Sequence, residues 1–226
     1  LGEPVAGFYG VSGDERCAFI EMAAASGLEL LSPEQRNPLK TTSWGTGELI
    51  QHALDLGVKR IIIGLGGNAT NDGGAGMVQA LGAKLLTADN QQIPYGGAGL
   101  ETLAKIDISE LDSRLAHCQI DVACDVTNPL TGAEGASAVF APQKGATAEM
   151  VVQLDGALAH YARRIEQDLA INVLTLEGGG AAGGRTLGGR DAAAASVLRR
   201  WPDPARSRGD HVASLPLSLR DLEGHP

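Results

Sequence analysis

The sequence is poor in aromatic residues, in cysteine and in positive charge. Phe, Trp and Tyr make up 4% of the 226 residues, and there are only three cysteines, Cys17, Cys118 and Cys124. An odd number of cysteines without metal-ligand spacing predicts buried, reduced thiols and a cytoplasmic protein. With 18 basic and 27 acidic residues, the net charge of −9 argues against a nucleic acid polymer or an anionic membrane surface as a partner.

Long apolar runs are also missing. No segment approaches the roughly 20 apolar residues that a membrane-spanning helix needs, so we expect no membrane partner. The sequence is instead rich in small and aliphatic residues, because hydrophobic residues amount to 43% and there are 31 glycines. This composition predicts an α/β fold with many tight turns, in one domain or in one domain with a small appendage.

The chain is organised around residues 58–76, VKRIIIGLGGNATNDGGAG. Residues 58–65 form a short run that is apolar apart from Lys59 and Arg60 and rich in β-branched side chains, which predicts a buried strand that ends near Gly64. From Gly74 the apolar residues recur at helical spacing, so the glycine-rich turn leads into a helix. A strand, a glycine-rich turn and a helix N-terminus together predict an anion site. The alternative is a tight strand-to-helix crossover with no ligand.

Other elements are predicted on both sides of this stretch. They are a hairpin of residues 5–11 and 16–22, a short helix at 23–31, a helix capped by Thr46, a hairpin at 84–93, a core strand at 120–124 and a long helix at 147–170. Together they predict an α/β sheet with flanking helices. Ligands bind at the carboxyl ends of strands in open α/β sheets. Four side chains could therefore face one crevice: Asn71, Asp72, Asp125 and Asn128.

Five motifs, in the same order, resemble those of the bacterial two-domain, glycine-loop glycerate kinases. They are SWGTGELI at 43–50, GLGGNATNDGG at 64–74, ACDVTNPL at 123–130, APQKGA at 141–146 and GGGAAGG at 178–184. One position departs from the pattern, because Asn68 stands where the family usually has Ser. The resemblance covers residues 1–184 and implies that this sheet with its flanking helices corresponds to the second, inserted domain of such a kinase.

The resemblance also implies a function, the transfer of a phosphoryl group from ATP, with magnesium, to a hydroxyl of glycerate. Glycerate and a nucleotide would be the partners. Candidates for binding phosphate or the substrate are Gly66, Gly67, Asn68, Thr70, Asn71, Asn128 and Lys144. Asp72 and Asp125 are the candidates for contacting magnesium or accepting the hydroxyl proton. A helix cap or turn cap is the alternative role for each aspartate, and a solvated side chain is the alternative for Lys144.

The composition changes at Gly184. Residues 185–226 hold 7 Arg, no Lys and 5 acidic residues, and they do not continue the family pattern. We expect a largely disordered tail from an out-of-frame translation or a fusion, and an Arg-rich anion-binding arm is the alternative.

The resemblance further implies that the active site of such enzymes lies between two lobes. The motifs of the other lobe, Asp-Gly-Gly-Glu-Gly and Gly-Glu-Gly-Arg, are not found in this chain. We therefore expect weak activity or none from this chain alone. A non-enzymatic domain that binds a small carboxylate or phosphate is the alternative function, and formation of a homo-oligomer is left open.

Overall fold

The computed structural model describes residues 2–123, 126–174 and 179–180. The strands are β1 (Gly10–Val11), β2 (Cys17–Glu21), β3 (Arg60–Gly64), β4 (Lys84–Leu86), β5 (Lys105–Asp107) and β6 (Gln119–Ala123). The α-helices are α1 (Ala23–Ser26), α2 (Trp44–Asp55), α3 (Ala75–Ala80), α4 (Ala136–Phe140) and α5 (Ala148–Leu169). The 3-10 turns include Leu28–Leu30, Gly97–Thr102 and Pro142–Lys144. Residues 185–226, for which a disordered tail is predicted, lie outside the described residues.

A four-stranded sheet in the order β1-β2-β3-β6 forms the centre of the fold. β1 pairs with β2 as the predicted antiparallel hairpin, while β2, β3 and β6 are parallel. The two predicted core strands are thus confirmed, and they are direct neighbours. The parallel strands end in register, so that Glu21, Gly64 and Ala123 lie side by side at the carboxyl edge.

One face of this sheet is buried and the other is partly exposed. Side chains along each strand point alternately to the two faces of the sheet. Those on the inward face join a core that also contains residues of α2 and α3. The inward side chains of the strands are Ala18, Ile20, Ile61, Ile63 and Ile120. On the opposite face Phe19 is 40% exposed and the side chain of Ile62 is half-buried. This alternation is the pattern of a sheet with one covered face.

Helix α2 packs against α3 at a close contact of small residues. A methyl group built on Gly47 would lie 2.5 Å from the carbonyl oxygen of Met77. The predicted cap at Thr46 is wrong, because α2 begins at Trp44 and Ser43 is its N-cap residue. Thr46 lies buried inside the helix, where its hydroxyl is 3.0 Å from the hydroxyl of Ser26.

The helix predicted at residues 23–31 is interrupted. α1 ends at Ser26, and Gly27 has an extended backbone with φ −80° and ψ 152°. A methyl group at Gly27 would lie 2.2 Å from the carbonyl oxygen of Ala23, so this tight turn requires glycine. Gly27 pairs with Asn68 in an antiparallel bridge, and this pairing places the turn next to the glycine-rich loop.

A second layer contains the antiparallel pair β4-β5 and the long helix α5. In the predicted hairpin at residues 84–93, Leu86 bridges to Gln92 and Asn90 has a φ of 56°. The predicted long helix is confirmed, and its core face is Leu154, Leu158, Tyr161 and Ile165. The carboxylate of Asp168 accepts the N–H of Ile106 at 2.7 Å, which ties α5 to β5. No helix in the part of the chain that the structure describes could cross a membrane.

Candidate functional site

Residues 65–74, here called the glycine loop, connect β3 to α3. Gly66 and Gly67 are exposed at the carboxyl end of the central strand, and Gly67 has a φ of +65°. The N–H groups of Gly66, Gly67 and Asn68 donate no hydrogen bond to any residue that the structure describes. Consecutive free N–H groups beside a residue with positive φ form the concave anion sites known as nests. The loop therefore offers an anion three backbone donors.

The polar side chains of the glycine loop are turned into the protein. Asn68, Thr70, Asn71 and Asp72 are all buried. Their side chains therefore build the back of the loop, and its exposed surface is the backbone around Gly66 and Gly67.

Among the described residues, Asp72 accepts hydrogen bonds from Ser43, Gly74 and Gly76, which hold it in place. Its Oδ2 accepts the N–H and the hydroxyl of Ser43 at 2.9 and 2.7 Å and the N–H of Gly76 at 3.3 Å. Its Oδ1 accepts the N–H of Gly74 at 3.1 Å. These contacts fit the alternative of a helix cap, because two of the donors lie at the start of α3. The predicted catalytic and magnesium roles of Asp72 stay predictions.

Lys144 reaches the glycine loop from a distant segment of the chain. Its side chain is 1% exposed, and its Nζ donates to Asn68 Oδ1 at 2.9 Å and to the carbonyl oxygen of Thr70 at 2.7 Å. The alternative of a solvated lysine is therefore wrong, whereas a contact with phosphate stays a prediction. Gly145, with φ +91°, turns the chain tightly here, because a methyl group on it would lie 2.5 Å from the carbonyl oxygen of Arg36.

The remaining predicted residues divide between two places. Asn71 Nδ2 donates to the hydroxyl of Ser137 at 3.0 Å, while Asn71 Oδ1 is buried without a hydrogen-bond partner in the described residues. Asn128 belongs to a separate loop, where its Nδ2 donates to the carbonyl oxygen of Glu134 at 2.9 Å. Asp125 lies outside the described residues. The structure thus joins Asn71 and Asp72 with Lys144 around the glycine loop, but it shows no hydrogen bond from the Asn128 side chain to that loop.

One carboxylate was missed by the sequence reasoning. Glu21 is exposed at the carboxyl end of β2, beside Gly64 in the register. A methyl group on Gly64 would lie 2.5 Å from Glu21 Oε2, so the carboxylate occupies the space above that glycine. The available signal was Gly64 itself, because a glycine that ends a β-branched strand often marks the close approach of another group.

A cavity of about 820 Å³ lies beside the glycine loop. Residues 2–9 and α2 form its sides, and Ala69 and Thr70 reach its wall. The rings of Trp44 and Tyr95, 5.4 Å apart, stand at its edge. Gly66 and Gly67 do not line this cavity, so it is separate from the free N–H groups. In the described residues no group of three or more His, Cys, Asp or Glu side chains is arranged to hold a metal ion.

The fold and the loop define an α/β protein with exposed backbone N–H groups at the carboxyl edge of a parallel sheet. Comparison with known sequences is more specific. The model of the family described as "Glycerate kinase family" matches residues 1–200, and the chain therefore belongs to the glycerate kinase family.

Several relatives that this chain resembles carry the same name. It is 61% identical over 184 residues to glycerate 2-kinase of Escherichia coli (strain K12), covering 81% of this chain and 48% of the relative. It is 59% identical over 184 residues to glycerate kinase of Haemophilus influenzae, covering 81% and 49%. The crystal structure of glycerate kinase 2 from Salmonella typhimurium LT2 superimposes with a TM-score of 0.80 at 71% identity, covering 81% of this chain and 49% of that one. The chain thus spans about half the length of the relatives it matches.

Proposed function

We propose that this chain is the glycine-loop part of a glycerate kinase that acts in the cytoplasm. In this proposal the α/β unit of residues 1–184 corresponds to the second, inserted domain, and the complete enzyme transfers a phosphoryl group from ATP to a hydroxyl of glycerate. The observation that carries the proposal is the row of N–H groups at Gly66, Gly67 and Asn68, which donate to none of the described residues. Family membership supports the choice of substrate, and the free thiols of Cys17 and Cys118 support a reducing compartment.

The role of the glycine loop follows from its donors. Both the phosphate groups of ATP and the carboxylate of glycerate carry oxygens that accept backbone N–H bonds. Phosphoryl transfer depends mainly on positioning and on electrostatic stabilisation, and fixed N–H donors supply both. We assign Gly66, Gly67 and Asn68 to the binding of one such anionic group.

Magnesium and the hydroxyl proton need an accessible carboxylate. Asp72 fits a magnesium ligand poorly in this arrangement, because it is buried and both of its oxygens accept hydrogen bonds from the protein. Glu21 fits better, since its carboxylate is exposed at the same edge and Mg²⁺ is commonly held by one or two carboxylates together with phosphate oxygens and water. We assign this role to Glu21 and keep Asp125 as a second candidate. ATP, when bound, supplies the phosphoryl group.

Thermal unfolding with and without Mg-ATP or glycerate tests the anion site, because a ligand stabilises the folded state by RT ln(1 + [L]/Kd). We expect the unfolding temperature to rise with Mg-ATP, and this rise to be lost in Gly67→Asp, which places a negative charge among the donors. Gly57→Asp is the matched control, since Gly57 is also exposed and has a φ of +80°. An equal response of both variants would contradict the assignment of the site.

A second candidate function is a binding domain for a small carboxylate or phosphate without catalysis. It is favoured by the burial of Asp72 and Lys144, because both charged groups are already bonded within the protein. A coupled assay of ADP release separates the two functions. We expect the chain alone to turn over glycerate weakly or not at all, and a normal turnover rate would contradict that expectation.

A further inference from the structure

Lys144 and Asn68 form one hydrogen-bond network behind the glycine loop. Asn68 Oδ1 accepts Lys144 Nζ at 2.9 Å and the N–H of Thr70 at 3.2 Å, while Asn68 Nδ2 donates to the carbonyl oxygen of Leu65 at 3.0 Å. Lys144 Nζ also donates to the carbonyl oxygen of Thr70 at 2.7 Å. The network therefore ties the first half of the loop, at Leu65, to its second half, at Thr70.

The other side of the loop is fixed by backbone bonds. The N–H of Ala69 donates to the carbonyl oxygen of Ser26 at 2.9 Å, and the carbonyl oxygen of Gly67 accepts the N–H of Leu28 at 2.7 Å. The N–H groups of residues 66–68 lie in the stretch between Leu65 and Ala69, which are both anchored. The direction of these N–H groups is consequently set by the hydrogen bonds of the neighbouring residues, because the N–H groups themselves donate to no described residue.

We infer that Lys144, acting through Asn68 and the Thr70 carbonyl, is a positioning residue that holds the free N–H groups of residues 66–68 outward for an anionic ligand. It does not contact that ligand itself. The ligand class in this inference rests on the proposed function, whereas the hold on the loop rests on the geometry alone.

The burial of Lys144 argues against a direct contact with phosphate. The side chain is 1% exposed, and two bonds to the loop hold its ammonium group. An approach to a ligand on the exposed side would break both bonds and leave the carbonyl oxygen of Thr70 without this donor. Separating a buried charge from its hydrogen-bond partners is unfavourable, so a contact with the ligand would first have to offset the loss of both bonds.

The first test measures amide hydrogen exchange by NMR in the ligand-free chain. In Lys144→Met we expect the amides of Ala69 and Thr70 to exchange about tenfold faster or more, because bonds from a charged donor are lost. The amides of Ile61 and Ile63 in β3 should exchange at unchanged rates once any change in global stability is taken into account. Lys59→Met, which removes an exposed lysine before β3, is the control and should leave the loop rates unchanged. If Lys144→Met fails to fold, Lys144→Gln serves instead, since its shorter side chain keeps donors.

A double-mutant cycle tests whether Lys144 acts through Asn68. If the two form one unit, Asn68→Ala and Lys144→Met should have strongly non-additive effects on loop exchange. Additive effects of the two substitutions would show that Lys144 does not act through Asn68.

The last arm uses Mg-ATP as the probe and separates the inference from the proposed function. We expect Lys144→Met to show both effects. It should lose most of the Mg-ATP-induced rise in unfolding temperature, and its loop amides should exchange faster in the ligand-free chain. Loss of the Mg-ATP response with unchanged exchange in the ligand-free chain would instead mean direct contact and would overturn the inference. If the unmodified chain shows no response to Mg-ATP, the proposed ligand is wrong, and the exchange rates still decide whether Lys144 holds the loop.

Discussion

Ser43 donates both its backbone N–H and its hydroxyl to the same oxygen of Asp72, at 2.9 and 2.7 Å. The Ser43 hydroxyl in turn accepts the N–H of Met77 at 2.8 Å. Ser43 is the N-cap residue of α2, and Asp72 accepts N–H groups at the start of α3. This pair therefore joins the beginnings of two helices to the end of the glycine loop.

We predict that Asp72→Asn destabilises the protein. An amide in this place directs a donor at one of the N–H or O–H groups that now donate to the carboxylate, and a buried donor is left without an acceptor. We expect the free energy of unfolding to fall by about 3 kcal/mol in urea denaturation. Asp89→Asn, in an exposed turn, should change it by less than about 0.5 kcal/mol. Equal stabilities of the two variants would show that the Ser43–Asp72 pair contributes little.

Two glycine-to-alanine changes should have opposite signs. Gly47→Ala places a methyl group 2.5 Å from the carbonyl oxygen of Met77 and 2.6 Å from Cβ of Ala80, so α2 and α3 must move apart. We expect a loss of about 1–3 kcal/mol. Gly156 lies inside α5 with nothing within 4 Å of the added methyl group, and Gly156→Ala should stabilise by about 0.5–1 kcal/mol. Thermal unfolding of both variants measures the difference, and a shared sign would contradict the packing argument.

The magnesium role of Glu21 can be tested by changing Glu21 itself and by changing Gly64, which lies beneath its carboxylate. Glu21→Gln should reduce the magnesium-dependent part of the stabilisation by ATP, because it removes the charge that would face the metal. Gly64→Ala should do the same with little loss of stability, since the added methyl group displaces only the flexible end of the Glu21 side chain.

The control for this prediction is Glu29→Gln, which changes an exposed carboxylate in the 3-10 turn after α1. Its response to ATP with and without magnesium should equal that of the unmodified chain. If Glu21→Gln behaves like this control, the assignment of magnesium to Glu21 is wrong.

The stability of the protein should depend on Cys118 at high pH. Burial raises the pKa of this thiol from 9.0 to about 11. The unfolded chain therefore loses the proton first, so the stabilisation is complete below pH 9 and is lost as the pH rises to about 11. We expect a loss on the order of 2 kcal/mol. The difference between the unmodified chain and Cys118→Ser across this range isolates the contribution, and a constant difference would contradict it.

The main elements of the fold were readable from local patterns. The β-branched run before Gly64, the strand-like stretch at 120–124 and the three- and four-residue spacing of apolar residues in α5 follow from the periods of strands and helices. The prediction of the Thr46 cap was wrong because a cap depends on where the helix begins, and Asp72, distant in sequence, holds Ser43 in that place. The interruption of the helix at Gly27 likewise depends on its pairing with Asn68.

For the candidate site, the sequence by itself determined the glycine loop and the family resemblance, because both reside in a continuous string of small and polar residues. It could not determine which of those polar residues face solvent. Only the tertiary structure decided that Lys144 lies behind the loop and that Glu21 lies over Gly64. The physical reason is that burial and hydrogen bonding of a charged side chain depend on neighbours from other segments, which local sequence patterns do not specify.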